Sequence, residues 1–135
     1  MKKTNVLLLL TPKTSVACLQ DTMNIRQAYE KMKAHRFMAI PLLNDNGEYL
    51  GTITEGDILH FLVASNMKLE DLTGVNIMAI LRKEYTPAVK VDADLSTILE
   101  MILGQNFVPV VDDRNILMGI VTRKAILKEL TKDED

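Results

Sequence analysis

The chain has 135 residues and a formal net charge of −2, with 47% of its residues hydrophobic and 25% charged. That size and balance suit one ordinary globular unit and exclude a disordered chain, with only the Asp133-Glu134-Asp135 tail expected outside the core. Charges of both signs run through both halves and tryptophan is absent, so the basic face of a nucleic-acid binder is missing.

In chain order, the first feature is Lys2-Lys3 followed by the apolar run from Val6 to Leu10. That run is shorter than the core of a secretion signal, and Thr11-Pro12-Lys13 interrupts it. No apolar stretch approaches the roughly 18 residues of a membrane span. The single Cys18 permits no disulfide within the chain, and its neighbours Val16, Ala17 and Leu19 mark it as a small apolar strand residue. His35 and His60 lack the close spacing of a metal site. These features predict a cytoplasmic protein with no metal and no membrane or nucleic-acid partner.

Val16 to Leu19 predict a short strand. Asn24 then caps a helix, with Gln27 completing a capping box and Ile25, Ala28, Tyr29 and Met32 as the apolar stripe, until His35 and Arg36 end it. Phe37 to Leu43 predict a strand, Asn44-Asp45-Asn46-Gly47 a hairpin turn, and Tyr49 to Ile53 the antiparallel return before Thr54 opens a second helix. The linker from Ser65 to Arg82 holds Leu69, Leu72, Val75, Ile77 and Ile80, too apolar to stand in solvent, and predicts one or two short packed helices. Beyond Tyr85-Thr86-Pro87, Val89 to Val91 form a strand and Asp94 caps a helix through Leu103. Phe107 to Val111 pair with Leu117 to Val121 around the turn at Asp112 to Asn115, and Thr122 opens the last helix.

The order strand-helix-strand-strand-helix therefore occurs twice, and in register. Gly51-Thr52-Ile53-Thr54 through Leu59 returns 68 positions later as Gly119-Ile120-Val121-Thr122 through Leu127, and Ile40-Pro41-Leu42-Leu43 returns as Val108-Pro109-Val110-Val111. About 60 residues per copy is near the lower limit for an independent domain, so the two copies are expected to share one core.

A unit of this order that carries an apolar-Pro-Val-apolar-Asp/Asn strand, a turn, and then Gly-apolar-apolar-Thr-x-x-Asp resembles the CBS domain, and two in tandem resemble a Bateman module. The resemblance covers roughly residues 11 to 130. The small firmicute cytoplasmic Bateman proteins, with their Thr-Pro-Lys start and Gly-Ile-Val-Thr-Arg stretch, are similar. It implies an α+β fold with one domain over 11–65, a linker over 66–82 and a second domain over 83–131. It also implies a module that senses rather than catalyses. The regulatory ligand would be adenosine-containing: AMP, ADP, ATP, cyclic di-AMP or S-adenosylmethionine, held between the paired domains. By the same resemblance Thr54 bonds a phosphate and Asp57 the ribose hydroxyls, while the base lies near Val16, Ala17, Ile40 and Pro41. Pro87, Val108 and Pro109 stand at the second site.

The residue chemistry supports these assignments without deciding them. A threonine at a helix start sets its hydroxyl beside backbone N–H groups and the positive end of the helix dipole, which suits phosphate oxygens. Thr54-x-x-Asp57 is equally a helix-capping box that needs no ligand. Ala125 replaces Asp57 in the second repeat, so the two sites differ. One reading is a single working site at Thr54 and Asp57; the other is an anion site at Thr122, Arg123 and Lys124, suited to cyclic di-AMP. Glu55 with Asp57 places negative charge at the first site and predicts a neutral or weakly anionic ligand there, AMP or S-adenosylmethionine. Three functional classes follow: a sensor for a separate protein target, an enzyme, and a structural dimer without a ligand. The sensor is favoured over an enzyme because the carboxylates are accounted for by caps and turns. Ile58, Leu59, Leu62, Ile126, Leu127 and Leu130 recur at helical spacing and predict a homodimer.

Overall fold

The structure, a computed structural model, describes residues 5–82 and 86–132. In chain order its elements are α1 (Val6–Leu9), β1 (Thr11–Pro12), β2 (Leu19–Gln20), α2 (Ile25–His35), β3 (Ala39–Leu43), β4 (Tyr49–Thr54), α3 (Glu55–Ser65), β5 (Val89–Lys90), α4 (Leu95–Ile102), β6 (Phe107–Val111), β7 (Leu117–Thr122) and α5 (Arg123–Lys132). The chain divides into two compact units, one of Cys18–Tyr85 and one of Met1–Ala17 with Thr86–Asp135.

In the Cys18–Tyr85 unit the sheet order is β2-β3-β4, with β2 parallel and β4 antiparallel to β3. The predicted capping box at α2 is formed: Asn24 Oδ1 accepts from the Gln27 N–H at 2.8 Å and Gln27 Oε1 from the Asn24 N–H at 2.9 Å. Arg36 leaves the helix in the left-handed conformation, φ 57°. The hairpin turn is held by Asn44 Oδ1, which accepts from the Asn46 and Glu48 N–H groups. The apolar linker packs as expected, in short 3-10 helices at Leu69–Gly74 and Ile77–Ile80 with Leu72 and Ile77 fully buried. The Ile25 N–H donates to the Val75 carbonyl and the Ile77 N–H to that of Met23, so the linker completes this unit's core.

In the other unit the sheet order is β1-β7-β6-β5. Val6 and Leu9 of α1 join Val89, Ile98, Val108, Val110, Val121 and Ile126 in one core. Thr11 pairs with Ile120 and Pro12 with Gly119, and a proline fits this two-residue edge strand because it has no N–H to donate. This close crossing explains one repeated glycine. A Cβ on Gly119 would collide with the Thr11 carbonyl oxygen and lie 2.9 Å from Leu10 Cγ.

Several expectations shift. The strand placed at Val16 to Leu19 is Leu19–Gln20, because its parallel ladder begins only where Leu19 meets Leu42. The proline strand starts at Ala39 rather than Phe37, whose exposed ring instead stacks on His35 with centroids 5.5 Å apart. The elements α1 and β1 had no counterpart in the sequence reading. They carry Thr11 to Ala17 into the unit of the second repeat through the β1–β7 pairing and the burial of Val6 and Leu9. The start of the proposed second domain at 83 and the Asp133-Glu134-Asp135 tail lie outside the described residues.

Candidate functional site

Strand β4 runs directly into α3, and Thr54 is the junction, opposite Ala39 in the ladder. Its hydroxyl accepts from the Asp57 N–H at 3.2 Å, and Asp57 Oδ2 accepts from the Thr54 N–H at 2.8 Å. The capping box read from these residues is therefore formed. The other carboxylate oxygen, Oδ1, pairs with Arg82 Nε at 2.6 Å. Both oxygens of Asp57 thus have protein partners, and its side chain is only 5% exposed while that of Arg82 is 47% exposed.

These groups line a cleft of roughly 820 Å³. Its lining includes the polar residues Thr54, Asp57, His60 and Arg82 and the apolar residues Phe61, Ala64 and Ile80. The volume lies within the usual range of small-molecule sites. Glu55 does not line it; that carboxylate lines a groove on the α2 side of α3 with Tyr29, Met32 and Leu59. The argument that Glu55 and Asp57 jointly repel an anion is corrected accordingly, since one faces elsewhere and the other is paired with a cation.

Arg82 was missed as a site residue. Its only signal in sequence is a cation closing an apolar linker, and nothing local ties it to Asp57. Ile40 and Pro41, expected as walls for a base, are buried in β3 and their side chains serve the core. Neither residue lines the cleft. Val16 and Ala17 are half-buried and belong to the other compact unit.

In that unit Thr122 caps α5, its hydroxyl accepting from the Ala125 N–H at 3.1 Å, and alanine cannot return the bond. Arg123 turns back to the end of α4, donating from Nε to the Ile102 carbonyl at 3.2 Å and from an Nη to that of Gln105 at 3.0 Å. A guanidinium at a helix C-terminus meets the negative end of the dipole, which accounts for a cation in the first turn of α5 without an anion. Gln105, which sequence reasoning missed, is buried and donates from Nε2 to the Phe107 and Pro87 carbonyls. It links Pro87 to the Arg123 neighbourhood. Val108 and Pro109 are buried in β6.

Burial pushes the Tyr49 hydroxyl up to about 12, partly offset by its 2.7 Å hydrogen bond with Thr52. This pair lies in the strand core and is structural. Among the described residues no group of three or more His, Cys, Asp or Glu is placed to hold a metal ion, and no helix is long and apolar enough to cross a membrane.

The family model for the CBS domain matches residues 9–64 and 79–132. The chain belongs to the CBS-domain family. It is a tandem CBS pair, and its two copies are the in-register repeat of the sequence. A CBS domain protein from Streptococcus pneumoniae is 28% identical with a TM-score of 0.87, the match covering 94% of this chain and 86% of that one. CbpB, solved in complex with c-di-AMP, is 26% identical with a TM-score of 0.86, over 96% of this chain and 85% of that one. A homoserine O-acetyltransferase of Methanocorpusculum labreanum is 26% identical over 108 residues, which are 80% of this CBS pair and 21% of that protein. The CBS pair spans 21% to 49% of the length of the curated relatives that it matches.

Proposed function

We propose that this CBS pair is a non-catalytic regulatory module that binds an adenine nucleotide at the start of α3 and relays its occupancy to a protein target. The observation that carries this reading is the cleft itself, whose lining combines a capped helix start and a guanidinium with the apolar residues Phe61, Ala64 and Ile80. An adenine ring suits the apolar lining, and a phosphate suits the helix N-terminus. Membership of the CBS family supports the regulatory class, and the acetyltransferase match gives no support for catalysis because it covers about a fifth of that enzyme.

Cyclic di-AMP is a second ligand reading, favoured by the similarity to CbpB in its c-di-AMP complex. If it used the Thr122-Arg123 region, Arg123 would have to release the Ile102 and Gln105 carbonyls. The module is further proposed to act as a homodimer through α3 and α5, where Leu59 is 63% and Leu127 is 62% exposed.

Isothermal titration of the intact chain with AMP, S-adenosylmethionine and cyclic di-AMP, repeated on Asp57→Ala and Arg123→Ala, tests the reading. Binding abolished by Asp57→Ala is the expected result. Binding abolished only by Arg123→Ala moves the site to the second repeat. No heat from any ligand at millimolar concentration overturns the sensor in favour of a structural dimer.

A further inference from the structure

The segments that lead into the two repeats are themselves copies of one another. Asn5-Val6-Leu7-Leu8-Leu9-Leu10 returns 71 positions later as Asn76-Ile77-Met78-Ala79-Ile80-Leu81. Each asparagine caps a single turn, Asn5 Oδ1 accepting from the Leu7 N–H at 2.9 Å and Asn76 Oδ1 from the Met78 N–H at 2.7 Å. Each turn buries its first and last residues, Val6 and Leu9 in one and Ile77 and Ile80 in the other. The leucine that follows is extended in both, at φ −73°, ψ 129° for Leu10 and φ −70°, ψ 122° for Leu81.

The surfaces that receive these segments match as well. Gly51 and Gly119 hold equivalent positions of β4 and β7, and a Cβ there would lie 2.6 Å from Leu81 Cδ1 in one unit and 2.9 Å from Leu10 Cγ in the other. In both units a glycine makes the room that the leucine fills. The middle of each turn is unconstrained: Leu7 is 48% and Met78 41% exposed, and Leu8 and Ala79 are exposed as well. The two copies are also seated crosswise. Residues 5–10 precede the first repeat yet pack in the unit of the second, whereas residues 76–81 precede the second repeat and pack in the unit of the first.

We propose that both sheets carry the same docking groove, opened by a glycine and reading the pattern Asn-aliphatic-x-x-aliphatic-Leu, and that residues 5–10 and 76–81 are interchangeable occupants of it. The partner that fits the groove over β7 is thus a short apolar peptide of that pattern, supplied here by the chain's own residues 5–10. The two aliphatic residues stand three apart on one side of a single turn, so they enter the core together, and the asparagine closes the turn from within the peptide. The linker copy also lines the α3 cleft through Ala79, Ile80 and Leu81, so the same docking holds part of the candidate site in place.

Labelled peptides of residues 1–13 and 73–84, titrated by fluorescence anisotropy onto full-length Leu9→Asp, test the inference, because an aspartate at that buried position drives the resident segment out of its groove. The 73–84 peptide is expected to bind within about tenfold of the 1–13 peptide, and the same peptide with Ile77→Asp is expected not to bind. Failure of the 73–84 peptide where 1–13 binds, or failure of both, overturns the inference. A second measurement needs no released segment. Val6→Ile, Leu7→Met, Leu8→Ala and Leu9→Ile together make residues 5–10 read as 76–81, and the midpoint of thermal unfolding should stay within about 3 °C of wild type. The composition-matched set Val6→Met, Leu7→Ile, Leu8→Ile and Leu9→Ala puts the small residue in the core and should lower the midpoint by about 6 °C or more. Equal midpoints in the two variants overturn the inference, and this pair of melts decides it if Leu9→Asp yields no folded protein.

Discussion

Asp57 and Ala125 occupy the same place in the two repeats, and this single difference makes one helix start a reciprocal cap and the other half of one. The repeated glycines are explained at the same scale, by what crosses them. Gly119→Ala forces β1 away from β7, and a loss of about 1–3 kcal/mol is expected in urea denaturation. Gly104→Ala, where a Cβ meets nothing within 4 Å, is the control and should stay within about 0.5 kcal/mol. Tyr49 gives a pH prediction. Its folded value of about 12 lies above the ordinary value near 10, so its contribution is fully present below pH 10 and is lost as pH rises toward 12. Stability measured between those limits should fall by an amount on the order of 2 kcal/mol in wild type, and less in Tyr49→Phe.

At the scale of elements, short polar residues set where the helices begin. Asn24, Thr54, Asp94 and Thr122 all stand before a helix and all accept from an N–H in its first turn, as their positions in sequence implied. Cap formation is local, so these starts were legible. The charges of the α5 first turn were not, because the partner of Arg123 is the end of a different helix. Arg123→Ala should lower the midpoint of thermal unfolding without any ligand, costing about 1–2 kcal/mol for two lost bonds to carbonyls. Lys124→Ala, at an exposed neighbour, should change it little. Calorimetric melts of the two variants side by side check this. The strand boundaries were read less well for a related reason: Val16 to Cys18 have strand-like composition, but a parallel ladder exists only where β3 supplies a partner.

For the whole molecule, the exposed apolar residues on α3 and α5 set an expectation about assembly. Light scattering at micromolar concentration should give the mass of a dimer, and Leu59→Glu combined with Leu127→Glu should give a monomer that retains its circular dichroism. A wild-type monomer would remove the proposed dimer. The sequence by itself determined the duplication, the order of elements in each copy, the helix caps and the α+β class, because periodicity, turns and caps act over a few residues and a tandem repeat displays each of them twice. Only the tertiary structure decided that Thr11 and Pro12 pair with β7, that the linker closes the core of the Cys18–Tyr85 unit, and that Arg82 covers Asp57. Each of these joins residues far apart in the chain, and such contacts are set by which apolar faces and unpaired backbone groups the folded elements leave to be satisfied.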